Sequence, residues 1–263
     1  MLNKFLFIVL GTYVSFSHAQ VLSVEPIEKG FLSSSAPIKT FLWESKISKV
    51  TLIFIPGGEG QLNLNSDKKD LGGFYGSTLK PLSDPARTSG IFNVVVFDSP
   101  VALPTGTSYP SSRATSSHLT RIESVILYYK AKFNQPVWLM GHSNGAVSIT
   151  EFYKYLQKNK KEQLVSGLIY SSGRNGASFN DSTNLPVLFL AHQKDGCAKS
   201  TLHNSKTVYD NLKRTDPQKV EYVTIQGGEA QSSDVCSSGH HMFYGAGAEA
   251  YNAIDAFVSP YFR

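Results

Sequence analysis

The chain has 263 residues, of which 41% are hydrophobic and 12% aromatic, with a formal net charge of +5. These proportions exclude a disordered or low-complexity chain and suit one domain with its own core. No nucleic-acid motif accompanies the positive charge, so no nucleic-acid partner is expected.

Lys4 precedes the apolar run Phe5 to Leu10, and Ser17, His18 and Ala19 follow before Gln20. A basic start, a short apolar core and small residues at its end predict a secretory leader over residues 1–19, cut after Ala19. The apolar run is too short to span a bilayer. No cysteine follows the cut to carry a lipid, so no stable membrane anchor is expected. The expected location is periplasmic or extracellular, with residues 20–263 forming a single domain. Cys197 and Cys236 are the only two cysteines. In an oxidising compartment they have one intramolecular pairing open to them. Neither sits in a Cys-x-x-Cys pair that would suggest a metal.

Residues 20–37 predict at best a ragged first strand, and 38–44 and 49–55 two adjacent strands. Leu52 to Ile55 is a continuous apolar run, as in a strand buried on both faces. It ends in Pro56-Gly57-Gly58-Glu59-Gly60, where backbone can approach a ligand closely. The irregular stretch 61–90 is predicted helical around Phe74 to Leu82. Phe74 and Tyr75 are expected to pack rather than touch substrate. Phe92 to Phe97 predicts the next buried strand, with Asp98 at its end expected to brace a loop.

Leu119, Ile122, Ile126, Tyr129 and Phe133 recur at helical spacing. Ser116 or Ser117 is expected to cap that helix. A strand from Val137 then runs into Gly141-His142-Ser143-Asn144-Gly145 and a second periodic helix through Ala146, Ile149, Tyr153 and Leu156. This strand–turn–helix reads as a nucleophile elbow, with Ser143 on the bend and His142 packing nearby. Lys154, Lys158, Lys160 and Lys161 mark the solvated end of the helix. Strands are predicted over 164–170 and 186–191, joined by a linker with no room for a lid. Arg174 in that linker is expected at the surface, with a substrate carboxylate as its alternative partner. A helix over 203–213, a strand over 220–225 and a last helix to Val258 complete an alternating pattern, which implies a parallel sheet.

The residues Pro56-Gly57-Gly58, Gly141 to Gly145, Asp195 after its strand and His241-Met242-Phe243-Tyr244-Gly245 resemble the α/β-hydrolase superfamily, over roughly residues 38–258. The last stretch is similar to the His-Gly-Phe and His-Phe-Phe stretches of small bacterial members. The resemblance implies a mostly parallel central sheet flanked by helices, without a cap domain. It also implies a catalytic order Ser143, Asp195, His241. His240 is the alternative base; spacing to Phe243 and Gly245 favours His241. Asp181 is the reserve acid. The backbone N–H groups of Gly58 and Asn144 are the expected oxyanion donors, with Glu59 as second choice to Gly58.

A disulfide between Cys197 and Cys236 would tie the acid loop to the base loop. The expected activity is hydrolysis of carboxylic esters through an acyl-enzyme. The alternatives are an amidase or peptidase, a polymer-ester depolymerase, or a non-catalytic binding protein on the same fold. No H-E-x-x-H metal motif and no dinucleotide fingerprint occur, so neither a metal nor a cofactor is expected. The partner is an ester or amide substrate whose size the sequence leaves open, as it does the oligomeric state.

Overall fold

The computed structural model describes residues 18–27, 36–105, 109–180, 182–216, 219–230 and 234–262. Eight strands form one sheet in the order β1-β2-β4-β3-β5-β6-β7-β8. They are β1 (His18–Val24), β2 (Ile38–Glu44), β3 (Val50–Ile55), β4 (Phe92–Asp98), β5 (Val137–His142), β6 (Gly167–Ser171), β7 (Val187–His192) and β8 (Val220–Ile225). Strand β2 runs antiparallel to both of its neighbours, and every other pairing is parallel. The helices are α1 (Tyr109–Arg113), α2 (Ser116–Phe133), α3 (Asn144–Asn159), α4 (Leu202–Thr215) and α5 (Gly247–Val258).

The continuous apolar runs are explained by two cores, because successive side chains of a strand point to opposite faces. On one face Ile53, Val95 and Leu139 meet Ile122 and Ile126 of α2, Ile149 and Phe152 of α3, and Leu212 of α4. On the other, Leu52, Val94 and Trp138 meet Leu79 and Leu82 of the 71–82 segment and Ile254 of α5. Strands β3 to β7 are buried along their whole length, whereas β8, at the sheet edge, is partly exposed.

Two local expectations are corrected, and one element is added. Strand β1 is not ragged: it pairs with β2 over seven residues and begins at His18, two residues before the expected cut. The cap of α2 is Thr115, whose hydroxyl accepts from the His118 N–H at 3.3 Å. A short helix, α1, interrupts the loop after β4. The segment around Phe74 to Leu82 is helical as expected, as a π turn over Tyr75–Leu79 and a 3-10 turn over Lys80–Ser83. Between β6 and β7 no helix forms, and no cap domain covers the carboxyl end of the sheet among the described residues. No helix among them is long and apolar enough to cross a membrane.

Candidate active site

Ser143 stands between the end of β5 and the start of α3, at φ 55° and ψ −120°. This backbone conformation is sparsely populated for a residue with a side chain and costs about 1–3 kcal/mol. The bend is tight enough that a Cβ on Gly141 would collide with the Gly145 carbonyl, and one on Gly145 with the Ile55 carbonyl. Ser143 N–H donates to the Ser171 carbonyl at 3.0 Å, while its own carbonyl accepts from Ala146 and Arg174 N–H groups at 3.0 and 3.2 Å. The serine is therefore held by backbone on both sides and remains half-buried.

Asp195 lies in the turn after β7, and His241 lies in the loop after β8. His241 Nδ1 is 2.8 Å from Asp195 Oδ2, with both side chains almost fully buried. The other carboxylate oxygen accepts from the Cys197 N–H at 2.9 Å. An imidazole that donates from Nδ1 to a carboxylate carries its lone pair on Nε2. His241 Nε2 is buried and has no hydrogen-bond partner, so no bond yet joins it to Ser143. Phe243 supports the loop from an unusual backbone position, φ 50°, and packs beside Phe74 and His142.

The other histidines have different surroundings. His240 stacks on His192 at 4.2 Å. Its pKa is lowered by burial and by His192 and Lys194. His192 is itself engaged, accepting from the Lys194 N–H at 3.0 Å and meeting the Gly227 carbonyl at 2.6 Å. His142 packs near the elbow: its Nδ1 meets Ser171 Oγ at 3.0 Å, and its ring lies 4.9 Å from that of His241. Burial, and then His241 beside it, hold the His142 pKa well below the usual histidine range, so it stays neutral.

Gly57 to Gly60 forms a turn closed by Gly60 N–H on the Gly57 carbonyl at 2.9 Å, with Gly58 at φ +53°, a conformation natural to glycine. The turn lies against the elbow: a Cβ on Gly57 would stand 2.9 Å from Ser143 Cβ. The N–H groups of Gly58, Glu59 and Asn144 have no hydrogen-bond partner among the described residues. The Asn144 side chain donates to the Gly58 carbonyl at 2.9 Å and accepts from Arg174 Nη1 at 3.1 Å. Arg174 thus braces the site rather than standing apart at the surface. Asp98 accepts from Leu62 and Leu64 N–H groups at 2.5 and 2.8 Å, bracing the loop as expected. Asp181 lies outside the described residues.

Arg113 is not legible in the sequence as part of this site; Tyr75 reads there as packing, with substrate contact as the alternative. Arg113 is fully buried. It donates to the carbonyls of Pro56 at 3.1 Å and Gly58 at 2.8 Å, and to Ser148 Oγ of α3 at 2.8 Å. Burial, and then Arg174, lower its pKa to about 10, so it remains a cation. Tyr75 packs against Phe54 and Phe74 as expected, and it also lines the same cleft as Ser143, a hollow of about 250 Å³ walled by Gly57 to Leu62, Phe74 and Met242. Its hydroxyl has no partner among the described residues. Burial, and then Asp98, push its pKa up to about 12. The predicted disulfide is present, with Cys197 and Cys236 Cα atoms 4.7 Å apart.

The sheet order, the elbow after β5 and the loops after β7 and β8 define an α/β hydrolase in architecture. Solved structures agree: the chain has the α/β-hydrolase fold. A lidless α/β serine hydrolase from Xanthomonas campestris superposes with TM-score 0.58 at 14% identity, covering 93% of this chain and 95% of the other. A dienelactone hydrolase from Anabaena variabilis gives 0.59 at 11% identity, covering 95% and 100%. A thermostable carboxylesterase cloned from a metagenomic library gives 0.60 at 11% identity, covering 95% and 90%. No protein-family model and no curated protein matches the chain in sequence.

Proposed function

We propose that the protein is an exported serine hydrolase that cleaves carboxylic esters through an acyl-enzyme. One observation carries the reading. The buried Asp195–His241 pair leaves Nε2 unpartnered at the end of the sheet where Ser143 stands on its elbow. In this reading Ser143 Oγ attacks the ester carbonyl and its proton passes to His241 Nε2. Asp195 holds the imidazole tautomer and stabilises the imidazolium. The N–H groups of Gly58 and Asn144 stabilise the oxyanion. The tetrahedral species collapses, and His241 returns the proton to the departing alcohol. Water, deprotonated by His241, then attacks the acyl-enzyme and releases the acid. The carboxylesterase among the similar structures agrees with an ester as substrate. The leader-like start and the disulfide support export.

The test is mass spectrometry of oxidised protein treated with a fluorophosphonate, wild type beside Ser143→Ala. A single adduct on Ser143, absent from the variant, is expected. Folded protein without an adduct would mean a binding protein built on a hydrolase scaffold.

A further inference from the structure

The cleft at Ser143 is not isolated. Phe74, Ser237 and Met242 also border a second hollow of about 570 Å³. Gly76, Ser77 and Gly245 are in turn shared with a third hollow of about 490 Å³, which reaches Lys80, Arg87 and Tyr251. The three form one groove between the 73–87 segment and the loop that leads into α5. A Cβ on Gly247 would stand 2.5 Å from the Ser77 carbonyl, so the two walls meet closely at the floor.

We propose that this groove binds the unbranched apolar chain of a long-chain ester whose carbonyl lies at Ser143; the proposal rests on the ester-hydrolase reading. The chemistry of the walls selects the occupant. No charged side chain lines the second hollow, and Phe74, Met242 and Tyr244 give it apolar surface. Two of its four hydroxyls are spent within the protein: Ser237 donates to Asp234 Oδ2 and Ser238 to the Asp234 carbonyl, both at 2.6 Å. A peptide or glycan laid there would leave many of its own polar groups unmatched, which is costly. An alkyl chain loses nothing and gains burial. The charges of the third hollow are already paired, Lys80 with Asp70 at 2.5 Å and Arg87 with Asp84 at 3.8 Å, so the far end calls for no charged ligand.

The test uses Ser77→Trp, which fills the junction of the second and third hollows from an exposed position away from Ser143. Tyr244→Asp is the second variant; it puts a charge into the groove at a side chain that is 48% exposed. p-Nitrophenyl acetate and octanoate are the substrates. Decanoate binding to wild-type and Ser143→Ala protein is measured by calorimetry. The wild type is expected to favour octanoate over acetate in kcat/KM by roughly tenfold or more, the scale of burying a few methylenes. Each variant should remove that preference, mainly through KM, and keep the acetate rate within about twofold. Decanoate should bind Ser143→Ala and lose affinity when either groove variant is added. Equal rates on both esters, or decanoate binding untouched by both variants, would overturn the groove. Decanoate binding sensitive to the variants, in wild-type protein that takes no fluorophosphonate, would keep the groove and sink the hydrolase reading.

Discussion

The backbone N–H of Cys197 donates to Asp195 Oδ1 at 2.9 Å, and the sulfur of the same residue is bonded to Cys236, five residues before His241. The bond therefore joins the acid's loop to the base's loop across 39 positions of sequence. Chain entropy alone assigns a loop of that size about 4 kcal/mol of stability. Replacing both cysteines by serine should lower the unfolding free energy on that scale. It should also lower kcat in the fraction that remains folded by circular dichroism. A folded double variant with unchanged kcat would show that the bond serves stability only.

On the proposed reading, Arg113→Lys tests the grip on the Gly57–Gly60 turn that would supply the oxyanion donor. A lysine is a point charge and cannot reach the Pro56 carbonyl, the Gly58 carbonyl and Ser148 together. At least one hydrogen bond from a charged donor is lost, costing about 1.5–3 kcal/mol. The expected kinetic effect is a fall in kcat of about tenfold to a hundredfold with KM little changed, since a displaced oxyanion donor acts in the transition state. A change confined to KM would refute the link between Arg113 and the turn.

Tyr75→Phe removes a hydroxyl and keeps the ring, which packs edge-on against Phe54 and Phe74 at 5.8 and 6.0 Å. With its pKa near 12 the phenol is protonated at every working pH and can only gain by hydrogen bonding to substrate. The variant should lose roughly fivefold in kcat/KM, the worth of about one neutral hydrogen bond. The pH–rate profile should keep its shape, and the melting temperature should not move.

Acid should destabilise the fold through His118. This residue is buried, meets Ser148 Oγ at 2.9 Å, and has its pKa lowered to about 3 by burial and then by Arg113 and Arg121. The unfolded chain takes up the proton below about pH 6.5, and the folded one does not until about pH 3. Stability present above pH 6.5 is thus lost as pH falls, by up to about 1.4 kcal/mol per pH unit. Thermal melts across that window should show the decline, and His118→Gln should flatten it by one proton. An unchanged slope in the variant would assign the acid sensitivity elsewhere, with His142 next to be tested.

Much of this structure is legible in the sequence where the signal is local. Leu52 to Ile55 and Val94 to Phe97 read as strands covered on both faces because they have no polar alternation, and both are buried throughout. Leu119 to Phe133 declares its helix by period, and the elbow declares itself by two glycines whose side chains would collide. Asp195 stands out by its place after a strand and His241 by its spacing to Phe243 and Gly245, and the two meet. What was missed depends on distant partners. Arg113 reads as an ordinary polar residue until Pro56, Gly58 and Ser148 converge on it. Tyr75 and Phe74 both pack as expected, but that they also wall the cleft beside Ser143 depends on loops distant in sequence. Strand β1 has weak patterning of its own and is firm because β2 supplies a full register of partners.

The sheet order has a consequence for when activity can arise. From the centre outward, β5, β6, β7 and β8 stand side by side in the order in which they are synthesised. Ser143 and the Gly57–Gly60 turn are synthesised before Asp195 and His241. A domain folds as a unit, so the seat of Ser143, held by the Ser171 carbonyl and the Arg174 N–H, is completed together with the Asp195–His241 pair. On the hydrolase reading proposed above, a chain that stops short of the loop after β8 would hold Ser143 without the pair assigned to activate it.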